Sequence, residues 1–175
     1  PTRWFKPGLL HAVFQEYLYK TQATFLDLPQ PLQSRAATAN LIKFLDIKDS
    51  PSVQQVVDHL RKCSHDGAAI SEQVYRFLSN NLKEPAVIDL KNIACLYLPP
   101  HGYVHPQHVF WNEHGFGPYR HQLGAALRPY QPLFDMMGVR EAPNDSDPDY
   151  LEVILAISAQ FAPGNHPLEE CAHGV

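Results

Sequence analysis

Asn40-Leu41-Ile42-Lys43-Phe44-Leu45-Asp46-Ile47-Lys48-Asp49 returns in outline as Pro132-Leu133-Phe134-Asp135-Met136-Met137-Gly138-Val139-Arg140-Glu141. In each copy a run of apolar residues ends in a β-branched one, followed by a basic and an acidic residue. Each then meets a proline and a new amphipathic stretch, Ser50-Pro51-Ser52-Val53 through Leu60 and Asp147-Pro148-Asp149-Tyr150 through Ile157. Upstream, Trp4-Phe5-Lys6-Pro7 is echoed by Tyr103-Val104-His105-Pro106, with Phe14 and Phe110 beyond the two prolines. Similar elements in a fixed order mark a duplicated supersecondary unit, which buries its apolar face against its sibling.

Around the first copy, Leu9, Leu10, Val13, Phe14, Tyr17 and Leu18 fall at helical spacing and predict a helix over 8–20. Thr24 to Leu28 reads as a short extended segment, and the Ala-rich 34–45 as a helix. Ser50 before Pro51 is a helix-start signal, with Val53, Val56, Val57 and Leu60 on one face. Ile70, Val74, Phe77, Leu78 and Leu82 form the next apolar stripe, with Ser71 as its cap. From Ile93 the period changes to that of strands: Ile93 to Leu98, a turn at Pro99-Pro100-His101-Gly102, and Tyr103 to His105 make a hairpin. Residues 106–116 read as irregular and aromatic, and 123–139 as helical. Asp147-Pro148 opens a last helix with Tyr150, Leu151, Ile154, Leu155, Ser158 and Phe161 on or near one face.

The expected fold is α+β and predominantly helical, with two related helix-rich units and a small β-hairpin. The first unit covers 1–62 and is expected to be truncated, because the hairpin partner of Thr2 to Phe5 would lie before residue 1. A connecting helix occupies 63–92, the second unit with the hairpin 93–162, and a flexible tail 163–175. At 175 residues, with 45% apolar and 18% charged residues, the chain has enough apolar surface for a core, and disorder is a poor reading. No apolar run approaches the roughly 20 residues of a membrane helix. The net charge of −4 disfavours nucleic-acid binding, since no Lys/Arg cluster exists to displace counterions from phosphates. Three widely spaced cysteines, Cys63, Cys95 and Cys171, suit a reducing compartment better than a disulfide scaffold.

Five of the ten histidines lie between His101 and His121, which invites a zinc reading. The spacing matches no ligand motif, however, so no metal and no cofactor is expected. His105, His108, Trp111, His114, Phe116, Tyr119, Arg120 and His121 form a candidate partner-binding patch, because Trp, Tyr and Arg dominate binding hot spots. The competing and favoured reading has the aromatics pinning the hairpin and its following loop to the helical core. Cys63-Ser64-His65 holds a nucleophile and a base, but sequence neighbours at a helix end point apart. No GxSxG elbow and no phosphate-binding glycine loop is present, so no catalytic residue is assigned.

Taken in order, Trp4-Phe5-x-Pro7, Ile47-Lys48-Asp49, Ser50 through Leu60, Gln73-Val74-Tyr75-Arg76-Phe77-Leu78, Tyr103-Val104-His105-Pro106, Val109-Phe110-Trp111, Phe116-Gly117-x-Tyr119-Arg120 and Gly138 through Pro143 resemble the region downstream of the GHKL-type ATPase domain in sacsin-like proteins. The likeness covers most of residues 3–157. It implies a non-catalytic interaction or scaffold segment of a large, cytoplasmic, chaperone-like ATPase, whose partners are other domains of the same protein and its clients. The GHKL nucleotide residues have no counterpart here, so no nucleotide-binding position carries over. The rival expectation is a small metal-dependent hydrolase using the histidines of 101–121.

Overall fold

A computed structural model describes residues 10–11, 16–25, 39–40, 43–44, 50–113, 115–143 and 148–160. Within them the chain is α+β and mostly helical. Strand β1 (Leu10–His11), helix α1 (Glu16–Tyr19) and strand β2 (Thr24–Phe25) precede α2 (Val53–Asp66), α3 (Glu72–Ser79) and α4 (Pro85–Ile88). Strands β3 (Leu96–Leu98), β4 (Gly102–Val104), β5 (Val109–Phe110) and β6 (His121–Gln122) follow, then α5 (Gln131–Met137) and α6 (Pro148–Gln160). Short 3-10 turns occupy Asp89–Asn92, Pro106–His108, Gly117–Tyr119 and Ala125–Tyr130.

Helix α2 starts at a capping box two residues later than Ser50-Pro51 suggests. The Ser52 hydroxyl accepts from the Gln55 amide at 3.2 Å, and the Gln55 side chain accepts from the Ser52 amide at 3.0 Å. Ser50 has Val53 at the matching position, which offers no reciprocal acceptor, so Ser52 wins. The helix ends at Gly67, whose φ of +67° closes the last turn onto Cys63 and Ser64. Its face is as expected: Val56, Val57 and Leu60 are fully buried. Ser71 caps α3 by accepting from Gln73. The expected run to Leu82 stops at Ser79, where the Asn81 side chain donates to the Phe77 carbonyl at 2.7 Å and draws the backbone into a turn.

The hairpin forms with Leu96 opposite Val104, Tyr97 opposite Tyr103 and Leu98 opposite Gly102. Gly102 sits at φ +79°, a conformation that turn position reserves for glycine. His105 leaves the strand, because Pro106 starts a 3-10 turn and has no N–H to extend the ladder. Beyond it the irregular aromatic stretch hides β5, which pairs in parallel with β6 through Val109–His121 and Phe110–Gln122. On its other side the Trp111 and Asn112 amides donate to the Arg140 and Glu141 carbonyls at 2.8 and 2.9 Å.

Three further expectations change. Of the helix expected over 8–20, the described residues are helical at Glu16–Tyr19, while Leu10–His11 pairs in parallel with Thr24–Phe25; a short apolar run fits either period, and tertiary pairing decides. Residues 123–139 split into a 3-10 turn and α5, since Pro129 lacks a donor and Pro132 suits a helix first turn. The apolar face of α6 is not buried: Asp149 and Val153 point inward, whereas Tyr150, Leu151, Ile154, Leu155 and Ile157 are exposed.

One main core draws Leu18 and Tyr19, the inner faces of α2 and α3, Val87, Leu90, Leu96, Val104, Trp111, Leu133, Phe134, Met137 and Val139 into a single cluster. The boundary at 62/63 falls inside α2, and 63–92 holds the end of α2, then α3, α4 and a 3-10 turn. A satellite cluster of Phe110, Phe116 and Val153 lies under α6. The two stretches that look repeated differ in burial: Val57 is fully buried, and its counterpart Ile154 is 59% exposed. Trp4, Leu41, Ile47, Phe161 and the tail lie outside the described residues.

Candidate functional site: an outward-facing helix and a histidine cleft

Helix α6 is held by charge rather than by its apolar stripe. Arg120, following the 3-10 turn Gly117–Tyr119, donates from Nε to Asp149 Oδ1 and from Nη2 to Glu152 Oε2, both at 2.7 Å. Its Nη1 donates to the Tyr119 carbonyl at 3.0 Å. Arg140 pairs with the other oxygen of Asp149 and lies over the Phe110 ring, 4.8 Å from its centre. The Arg120 and Asp149 side chains are only 7% and 5% exposed, so each depends on the other to offset its lost hydration. Tyr119 adds a hydrogen bond to Gln160 at 2.8 Å, and Phe116 meets Tyr150 edge-on at 4.9 Å.

This clasp fixes the rotation of α6. With Asp149 and Val153 inward, Leu151, Ile154 and Leu155 point away from the fold at 61%, 59% and 56% exposure, flanked by Tyr150 and Ile157. Adjacent large apolar side chains at that exposure form a patch of the kind that often marks an interaction surface. Their spacing, with Leu151, Ile154, Leu155 and Ser158 at i, i+3, i+4 and i+7, is that of a helix that docks into a groove.

The expected partner-binding patch does not gather on one surface. Trp111 is buried in the main core, its Nε1 donating to Asp135 at 2.9 Å, with the Arg128 guanidinium 4.4 Å from the ring centre. Phe116 belongs to the satellite cluster and Arg120 to the buried clasp. Trp111 and Phe116 are thus the anchors of the favoured reading, because a two-stranded sheet with so little of its own core needs large side chains beneath it, while Arg120 is buried and is not part of a contact surface. Tyr119, His105, His108 and His121 are half-buried, and His114 lies outside the described residues.

The histidines assemble pairwise. His105 and His108 have ring centres 5.8 Å apart, and those of His101 and His121 are 4.6 Å apart. Burial pushes His108 below the usual imidazole value, reinforced by Arg120 and His105, with Glu152 and Asp149 opposing. No three His, Cys, Asp or Glu side chains converge as a metal-binding group among the described residues. Cys63-Ser64-His65 diverges as its spacing implies: Ser64 donates to the Ala94 carbonyl, His65 pairs with Asp66 at the surface, and Cys63 turns into the core. Cys63 instead lies 3.7 Å from His59, whose Nδ1 is 3.0 Å from the Thr21 hydroxyl. Burial raises the thiol and lowers the imidazole, which leaves this pair without the thiolate that nucleophilic catalysis uses.

Sequence reading missed Asp149 and Glu152 as partners of Arg120, and Arg140 as the second partner of Asp149. The Glu152 and Asp149 spacing is one helical turn, but nothing local ties either to a residue 29 or 32 positions upstream. No family model, no curated protein and no solved structure matches this chain. Among the described residues, no helix is long and apolar enough to cross a membrane.

Proposed function

We propose that this chain is a non-catalytic interaction segment of a larger, cytoplasmic, sacsin-like protein, docking through α6 onto another domain of that protein. The observation that carries the reading is the stripe of Leu151, Ile154 and Leu155, turned outward by the Arg120–Asp149 clasp. A helix whose polar residues are clasped inward keeps its apolar ones available, and burying them against a neighbouring domain removes them from water at about 25 cal/mol per Å². Two buried free thiols, Cys63 and Cys95, agree with a reducing compartment.

The test is hydrogen exchange on α6 in the 175-residue chain, alone and mixed with the flanking domains of its parent protein. The expected result is weak protection alone, strong protection in the mixture, and loss of that gain in Leu151→Asp/Leu155→Asp. Strong protection of α6 in the isolated chain, unchanged by any flanking domain, would sink the proposal, since the stripe would then be covered by the chain itself.

A further inference from the structure

A cleft of about 460 Å³ separates the hairpin tip from β6, with Leu98, Pro99 and His101 on one side and Pro118, His121 and Gln122 on the other. Across it the His101 and His121 rings stand 4.6 Å apart at an interplanar angle of 47°. Two imidazoles that share one ion through a nitrogen each, with bonds of about 2.0–2.1 Å, place their ring centres roughly 4.5–5.2 Å apart for angles between square and tetrahedral. The observed separation falls inside that window. The other pair, His105 and His108 at 5.8 Å, falls outside it, and the His105 Nδ1 is buried with no hydrogen-bond partner.

We propose that His101 and His121 form a two-imidazole site for a divalent transition-metal ion of the zinc class, its remaining coordination positions filled by water in the cleft. Imidazole nitrogen selects zinc, nickel or copper over calcium and magnesium, which take oxygen ligands. Arg120 also lines the cleft, yet Asp149 and Glu152 compensate its charge, so it does not repel a cation. The cleft supplies the entry path that a metal site needs. No third protein ligand joins among the described residues, so affinity is micromolar rather than that of a closed four-ligand site. The ion would tie the hairpin turn to β6, two elements that come from separate strand pairs.

The experiment is calorimetric titration of zinc chloride into the 175-residue chain at neutral pH, with magnesium chloride as the control salt. His101→Ala, His121→Ala and His65→Ala are compared with the parent, His65 being an exposed histidine on α2. The expected result is one saturable micromolar equivalent of zinc, lost in His101→Ala and His121→Ala, retained in His65→Ala, absent with magnesium, and weakening as the pH falls because only neutral imidazole binds metal. Absence of saturable binding, or its survival in either cleft variant, would overturn the site. If His121→Ala unfolds by circular dichroism, His101→Ala, on the exposed turn, decides the question.

Discussion

At the scale of single residues, Asp149 holds the most consequential place in the molecule. Its carboxylate receives two arginines in a site almost closed to water, whereas Glu152, 59% exposed, keeps much of its hydration while pairing with the same Arg120. Removing one partner of a buried ion pair leaves the other charge uncompensated. Asp149→Ala should therefore cost about 3–5 kcal/mol of folding stability. Glu152→Ala should cost less than about 1 kcal/mol, as exposed pairs do. Urea unfolding midpoints measure both, and equal losses would mean that the clasp is solvated and the rotation of α6 is set by something else. This pair was not legible in the sequence. Asp149 reads locally as an acidic residue favoured in a helix first turn, and Arg120 as a surface cation beside an aromatic cluster. Only the fold brings them together.

Elements with complete local signals were legible, and those whose identity depends on a distant partner were not. Val53, Val56, Val57 and Leu60 announce α2, and Ser71 announces α3, because stripe and cap agree within one window. The hairpin was readable from its turn residues. By contrast β1, β5 and β6 are two residues each, too short for a period, and exist through pairing with residues 12 to 14 positions away, while β2 falls within the extended segment read at Thr24 to Leu28. The cap of α2 is a finer case. Ser52→Ala should lower stability by about 1 kcal/mol through loss of the capping box, while Ser50→Ala should leave it unchanged within a few tenths. A larger loss at Ser50 would return the cap to the position that Pro51 suggests. The stripe of α6 is spaced like that of α2, yet spacing defines a face and not what the face meets. The same substitution separates the two helices. Val57→Asp buries an unpaired carboxylate and should cost several kcal/mol, whereas Ile154→Asp in the isolated chain should cost less than about 0.5 kcal/mol. Thermal melts of the two variants are the comparison, and equal destabilisation would show that α6 buries its stripe as α2 does.

For the molecule as a whole, the core closes over groups that ordinarily titrate, and this gives stability a limit on each side of neutrality. His59 and His108 are held below the ordinary imidazole value of 6.5, in both cases chiefly by burial. As the pH falls below that value, the unfolded chain takes up protons that the folded chain still refuses, so stability is lost with acid. Cys63 and Tyr75 are pushed up by burial, and Cys95 is pushed from 9.0 to about 12. As the pH rises above the ordinary thiol value, the unfolded chain releases protons that folded Cys95 keeps, and stability is lost with base. His59, Cys63, Tyr75 and Cys95 sit on α2, on α3 and before β3, so both limits apply to the main core, whereas His108 lies beside the clasp and adds only to the acid one. Urea midpoints should therefore be highest between about pH 7 and 8.5 and fall on both sides. The acid limb belongs to two residues, so His59→Gln/His108→Gln should flatten it between about pH 5 and 6.5 while leaving the alkaline limb in place. An acid limb that persists unchanged in the double variant would show that His59 and His108 have no part in it.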